Sequence, residues 1–288
     1  SRVIFVPGAW AGELVKAEII EEKRNFVRGA LVEVTDASPD RIKPLSPVMP
    51  GMTYAELSYE AEVKAKQSQL ADFFERNRLP FKLVPSQITC GPVENYRNKV
   101  VYHFSEKTGK VQIGYQKESS HEIVDVPYDT LARKEINEAL PSIRKTLTTL
   151  LTTGPLKVRR DIERKSTLSI RWSRKSGVKW FLGRPEEISI VKETALDLDF
   201  EVPFGSFYQI NPDVAETLFK TIVEEFISSR ANKIVDLYCG VGVIGLIIAK
   251  KTGASLMGVE SGRRAIEYAK RNAANLGVSD TQFISNDV

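Results

Sequence analysis

Cysteine is scarce in this chain: the two residues, Cys90 and Cys239, are too few and too far apart for a disulfide framework and fit a reducing compartment. Histidine is equally rare, with His103 and His121 only, so a thiolate- or imidazole-ligated metal centre is not expected. No stretch of about 18 apolar residues occurs, which argues against a membrane-spanning helix, and no signal-type apolar segment opens the chain. These absences leave a soluble protein of the cytoplasm, or alternatively of an organelle, that is expected to act as a monomer.

What is present is ordinary in composition, 42% hydrophobic and 27% charged over 288 residues, a length that calls for two or three domains. The formal net charge of +4 is unevenly spread. Between Pro141 and Pro185 stand twelve Lys or Arg against Asp161 and Glu163, so this segment carries +10 and the remainder −6. Basic strands that also bear Trp172, Trp180 and Phe181 offer both halves of what single-stranded RNA requires, charge for phosphate and rings for unstacked bases. A solvated charged face is the competing reading of the same residues.

The densest signal runs from Lys233 to Glu260, KIVDLYCGVGVIGLIIAKKTGASLMGVE. Ile234, Val235 and Leu237 read as a buried parallel strand, Gly240-Val-Gly242 as a tight turn, Val243 to Ala249 as a helix, and Ala254 to Val259 as a second strand closing on Glu260. Glycines suit that turn because the backbone must approach a nucleotide where a side chain would clash. An acidic residue at the end of the second strand sits where such sheets accept hydrogen bonds from a ribose diol. The spacing G-V-G-V-I-G also satisfies the dinucleotide pattern formally. Asp236, four residues before the first glycine, argues against it, since a fixed carboxylate suits a sulfonium or amino group better than a pyrophosphate. D-x-x-x-G-x-G followed by Glu260 resembles the class I S-adenosylmethionine (SAM) methyltransferases.

Elsewhere the chain reads as modules. Arg2 to Val6 and Glu13 to Val34 suggest short strands of an OB-like barrel that grips a nucleic-acid backbone. Four prolines, Pro39, Pro44, Pro47 and Pro50, mark a connector. Tyr54 to Asn77 has helical periodicity and is expected to serve packing. From Phe81 to Phe200 two hairpins, Lys99–Phe104 with Val111–Gln116 and Leu168–Trp172 with Val178–Leu182, flank one helix from Tyr128 to Leu151. A helix over Val214 to Ser228, capped by Asn211 and opened by Pro212, is expected to pack through Val214, Leu218, Ile222 and Phe226.

Phe204-Gly-Ser-Phe207-Tyr-Gln209-Ile-Asn211, a helix, and then IVDLYCGVG closely resembles the RNA (uracil-C5) methyltransferases, which make 5-methyluridine in transfer and ribosomal RNA. RVIFVPGAWAGELV followed by SPDRIKP resembles that family's N-terminal TRAM domain, and Tyr96-Arg-Asn-Lys99 and His121-Glu-Ile-Val-Asp125 resemble its central domain. The resemblance implies a multi-domain α/β chain: a TRAM barrel over 1–50, a central α+β RNA-binding domain over 51–200, and an incomplete Rossmann-like SAM domain over 201–288. SAM is the implied cofactor, held by Gln209, Asp236, Tyr238, Gly240, Gly242, Glu260 and Asp287. RNA, ribosomal or transfer, is the implied partner, met by Phe207, Arg97, Lys99, Arg171, Arg174 and Lys175. Cys239 lies inside the cofactor turn and is not read as the nucleophile; the family's cysteine and base are expected beyond Val288, so 1–288 alone is expected to be inactive. Ser1 at the start and Val288 closing only a third sheet strand read as cut ends. Where many members hold an iron–sulfur cluster through cysteines, this chain has LSPVMPGMTYAELSYE, so no cluster is expected and Met49 and Met52 pack in its place. A non-catalytic RNA-binding fragment or paralogue is the alternative; a small-molecule methyltransferase would leave the first 200 residues without a task.

Overall fold

In the computed structural model the chain divides into two compact units, Ser1–Cys90 and Gly91–Val288. The structure describes every residue except 1, 45–47, 50, 79–87, 108, 118–119, 184–188 and 288. The expectations that fall on Pro47, Pro50, Phe81, Arg184, Pro185 and Val288 therefore lie outside the described residues.

The first unit holds β1 (Val3–Phe5), β2 (Leu14–Glu22), β3 (Phe26–Asp36) and α1 (Tyr59–Arg76). β3 is central, parallel to β1 and antiparallel to β2, whose register shifts at three places. The connector after β3 is fixed by Arg41. Its Nε donates to Glu13 Oε1 at 2.6 Å, its Nη1 to Glu56 Oε2 at 2.7 Å and its Nη2 to the Gly8 carbonyl. The Arg41 guanidinium holds the Glu13 carboxyl down at about 2, well under the usual range. Trp10 stacks on Tyr54 at 5.6 Å, and Met49 is buried with its N–H toward Met52 Sδ. α1 begins later than its periodicity predicts because Ser58 Oγ accepts from Ala61 N–H and starts the helix there. Only Ala61 of α1 is buried.

The second unit opens with an antiparallel sheet in the order β6-β5-β4-β7-β8, formed by β4 (Lys99–Lys107), β5 (Lys110–Gln116), β6 (Ile123–Asp125), β7 (Thr167–Ser173) and β8 (Gly177–Leu182). Its core side is filled by Tyr102, Ile113, Leu168 and Ile170 against Ile136, Leu140, Ile143 and Leu147 of α2. The single predicted helix is two, α2 (Lys134–Thr152) and α3 (Leu156–Lys165), broken at Gly154-Pro155 where proline cannot continue the ladder. Residues 128–133 are not helical. They wrap around the fully buried Asp129, which accepts from Tyr102 Oη (2.9 Å), Tyr115 Oη (2.7 Å) and the Leu131 N–H (2.9 Å).

A hairpin, β9 (Ile190–Ala195) with β10 (Leu198–Pro203), leads to α4 (Pro212–Ser229). The parallel sheet follows, β11 (Lys233–Leu237), β12 (Ser255–Glu260) and β13 (Thr281–Ser285), interleaved with α5 (Val243–Thr252) and α6 (Arg263–Leu276). α5 is apolar from Val243 to Ala249, of which Gly245 to Ala249 are all buried, and ends in the exposed Lys250 and Lys251. The face that α4 buries is Ala215, Phe219 and Val223, one position around from the predicted stripe, and Leu218 is exposed. Among the described residues no helix is long and apolar enough to cross a membrane.

Candidate functional site

The strand-to-helix turn after β11 is built by three left-handed residues, Tyr238 (φ 59°), Gly240 (φ 55°) and Gly242 (φ 83°). Two are glycine; the third is a tyrosine in a region that side chains avoid, a local strain of the kind held at binding sites. Cys239 N–H donates to the Val259 carbonyl at 3.0 Å and Gly242 N–H to the Cys239 carbonyl at 2.8 Å, closing the turn onto β12. A Cβ on Gly240 would meet nothing within 4 Å, so the turn faces open space there. At Gly245 the reverse holds. A Cβ would sit 2.6 Å from Leu256 Cδ1 and 2.9 Å from Asp236 Oδ2, so this third glycine serves helix-to-strand contact.

Two carboxylates flank the turn and are held differently. Asp236 is largely enclosed, and its Oδ2 accepts from Gly245 N–H at 3.0 Å. Burial pushes its pKa up, and that hydrogen bond opposes the shift. Glu260, at the end of β12, accepts from Gly240 N–H through Oε2 at 3.2 Å and from Gly262 N–H through Oε1 at 2.8 Å. Oε1 thus holds the residue that precedes α6 while Oε2 faces the glycine turn. Tyr238 is 71% exposed beside them, and Asp287 is exposed two residues past β13.

The loop 204–211 is held by the antiparallel sheet. Asn98 N–H donates to the Ile210 carbonyl at 2.9 Å, Asn98 Nδ2 to the Gln209 carbonyl at 3.3 Å and Lys99 Nζ to the Phe204 carbonyl at 3.4 Å. Phe181 packs edge-on to Phe204 at 4.6 Å. Tyr208 is buried while Phe207, next to it, is 77% exposed, and Gln209 is half-buried. Asn211 then caps α4, its Oδ1 accepting from Val214 N–H at 3.2 Å.

The expected RNA face needs correction. Arg171 is 1% exposed: its Nε–H donates to Glu193 Oε1 at 3.0 Å and its guanidinium lies over the Tyr208 ring at 5.3 Å, so it does not reach a surface. Burial pushes the Lys99 ammonium pKa down, with the Arg171 charge adding to the shift, and this half-buried group faces the loop. The aromatics are also engaged: Arg133 covers Trp172 at 4.4 Å, and Trp180 packs toward the core. Arg174 and Lys175, at the β7–β8 turn, are exposed, Lys175 paired with Asp199. Arg97 is half-buried beside Tyr96.

Sequence reading missed Asn272. It is fully buried on α6, and its amide donates to the carbonyls of Glu201 (3.1 Å) and Val241 (3.0 Å) while its Oδ1 accepts from Glu201 N–H (2.8 Å). One side chain therefore ties β10, the glycine turn and α6 together. An asparagine amid the apolar positions of a helix, where it has low propensity, was the available signal.

Cys239 sits inside the turn with its thiol kept protonated. Burial first, then the Asp236 and Glu260 charges, push its thiol up to about 12.

Residues 198–288 match the family described as Methyltransferase small domain. An RNA methyltransferase of Bacillus anthracis that is described as uncharacterized is 28% identical, over 98% of this chain and 72% of its own length. The 23S rRNA (uracil(1939)-C(5))-methyltransferase of Methylococcus capsulatus is 27% identical over 98% of this chain and 71% of its own. Among solved structures, the tRNA (uracil-54, C5)-methyltransferase of Pyrococcus abyssi, in complex with S-adenosyl-L-homocysteine, superposes with a TM-score of 0.71 at 20% identity, covering 98% of this chain and 75% of that one. Motifs, fold and sequence comparisons agree that this chain resembles the RNA (uracil-C5) methyltransferases over nearly its whole length.

Proposed function

We propose that the protein transfers a methyl group from SAM to C5 of a uridine in RNA. The observation that carries this reading is the placing of the Glu260 carboxylate against the Gly240 N–H at an open glycine turn, with Asp236 on the strand that leads into it. An acceptor at the end of the second strand suits a ribose diol, and the space over Gly240 suits a nucleoside that must lie close to the backbone. When bound there, SAM supplies an electrophilic methyl group.

The chain's own residues would do the rest. Glu260 would accept from the sugar hydroxyls, exchanging its hold on Gly240 for the ligand. Tyr238 would stand beside the methionine portion and Asp287 near the adenine edge. Phe207, projecting from a fixed loop, would offer a ring to a base taken out of its stack, at a cost of a few kcal/mol met by backbone contacts elsewhere. Arg174 and Lys175 would supply part of that contact. In the first unit we read β1–β3 as part of a TRAM-like module that grips RNA.

Uracil C5 is a weak nucleophile. A thiolate adding to C6 gives an enolate whose C5 takes the methyl group; a base then removes the C5 proton and the thiol leaves. Burial, which holds the Cys239 thiol up at about 12, disfavours it as the source of that thiolate, and in our reading the nucleophile and base are those that the family resemblance implies beyond Val288.

The test uses the full-length protein with methyl-labelled SAM and unmodified ribosomal and transfer RNA. Label in 5-methyluridine after digestion is expected; label in another nucleoside, or in a small molecule alone, would overturn the reading.

A further inference from the structure

Arg171, the cation expected on the RNA face, sits beneath the loop that bears Phe207 and Gln209. Its Nε–H donates to Glu193 Oε1 at 3.0 Å and its Nη2 lies 2.8 Å from the same oxygen as an ion pair, while neither Nη1 nor Nη2 makes a hydrogen bond. The guanidinium carbon lies over the Tyr208 ring, 5.3 Å from its centroid. We propose that Arg171 is a positioning residue: by bracing the Tyr208 ring from the side of β7, it sets the stand-off of Phe207 and Gln209, the residues on either side of that ring.

Three observations converge. First, the pair is sealed, with Arg171 at 1% exposure and Glu193 buried, and a buried ion pair with an unpaired donor adds little stability over apolar side chains of the same volume. Folding alone is therefore a weak reason for this arrangement. Second, the hydrogen bonds from Asn98 and Lys99 reach backbone carbonyls at Phe204, Gln209 and Ile210, and the Phe181 ring contact and the Phe204 N–H bond to Ser189 hold the start of the loop, so between Phe207 and Gln209 it is the Tyr208 ring that the Arg171 side chain meets. Third, rotation matters because Tyr208 is buried and Phe207 is 77% exposed. A turn of the loop that freed Tyr208 would withdraw Phe207. Arginine suits this task better than lysine, since a planar guanidinium can stack on a ring and pair with a carboxylate together.

The proposal rests on the uridine-methylation reading for its effect on rate, so its test has one arm that does not. In the full-length protein, Arg171→Met combined with Glu193→Leu removes the brace without stranding a charge. The expected result is a thermal midpoint close to wild type, a kcat for methyl transfer lower by about 10- to 100-fold, an unchanged KM for RNA, and faster amide exchange confined to 205–210. Tyr208→Leu removes the same contact from the other side and leaves the ion pair intact, so it decides the matter if the double variant does not fold. Retained kcat with wild-type exchange at 205–210 would overturn the proposal. So would a raised KM at constant kcat, which would return Arg171 to an RNA-docking role. A wild-type protein that methylates no uridine would sink the functional reading and leave the exchange arm to decide the brace.

Discussion

The glycine turn after β11 and the loop 204–211 both present residues to the proposed site, but they are held in opposite ways. The turn is held mainly by the elements next to it in the chain: Cys239 and Gly240 bond Val259 and Glu260 of β12, Asp236 bonds Gly245 of α5, and Asn272 of α6 adds one bond to the Val241 carbonyl. The loop is held from elsewhere, by Asn98 at a distance of 111 residues from Gln209, by Lys99, and by Arg171 through Tyr208. A site built this way has one wall set by local chain geometry and another set by docking onto a separate sheet. Damage to the first should change cofactor affinity, and damage to the second should change rate with affinity spared.

The sharpest break is expected from Glu260→Ala, which removes the proposed diol acceptor and strips Gly240 and Gly262 of theirs. Hydrogen bonds to a charged group contribute about 1.5–3 kcal/mol, so affinity for S-adenosylhomocysteine should fall roughly 10- to 100-fold by calorimetry. Gly245→Ala comes next. Its Cβ would press on Leu256 and Asp236 at 2.6 and 2.9 Å, and overpacking of this kind costs about 1–3 kcal/mol in denaturant unfolding. Asn98→Ala, on the other wall, leaves the Gln209 carbonyl without its side-chain donor at a cost of about 1–3 kcal/mol. Methyl transfer should slow while S-adenosylhomocysteine affinity holds; equal losses in both would erase the distinction between the walls.

A smaller effect should be seen with pH. Because burial raises the Asp236 pKa above its ordinary 3.8, the folded state binds the proton more tightly than the unfolded chain. Its contribution to stability is complete below 3.8 and is lost as pH rises through the raised value. Asp236→Asn should flatten that part of the profile of thermal midpoint against pH; an identical profile would show that Asp236 does not titrate there. The smallest effect on stability belongs to Phe207→Ala, within about 0.5 kcal/mol because the ring packs on nothing it would leave empty, although methyl transfer should fall.

The difference between the walls also explains what could be read from the sequence. The unit from β11 to β12 was legible because its signals are contiguous: an apolar strand, glycines at fixed offsets, and Glu260 where the second strand ends; of the burial expected for β11 only Ile234 meets it, since Val235 and Leu237 are exposed. Asn211 as a cap was legible for the same reason. The burial of Arg171 was not, because its partner Glu193 lies on β9, a strand whose pairing with β10 carries no information about β7. A basic run read along the chain counts Arg171 with Arg174, yet Arg171 lies on β7, where residues 168–171 are all buried, and Arg174 lies in the exposed turn that follows. The division of α2 from α3 is carried by Gly154-Pro155, the local pair that stops one helix and starts the next. Asn272 needed the third dimension, since the three groups it joins lie far apart in the chain.

The claim that matters most is that the methyl group goes to carbon 5 of uracil. Full-length protein, SAM and RNA carrying tritium at C5 of uridine test it directly. The account predicts tritium released to water in step with methyl groups gained by the RNA. Methyl incorporation with the tritium retained would contradict it.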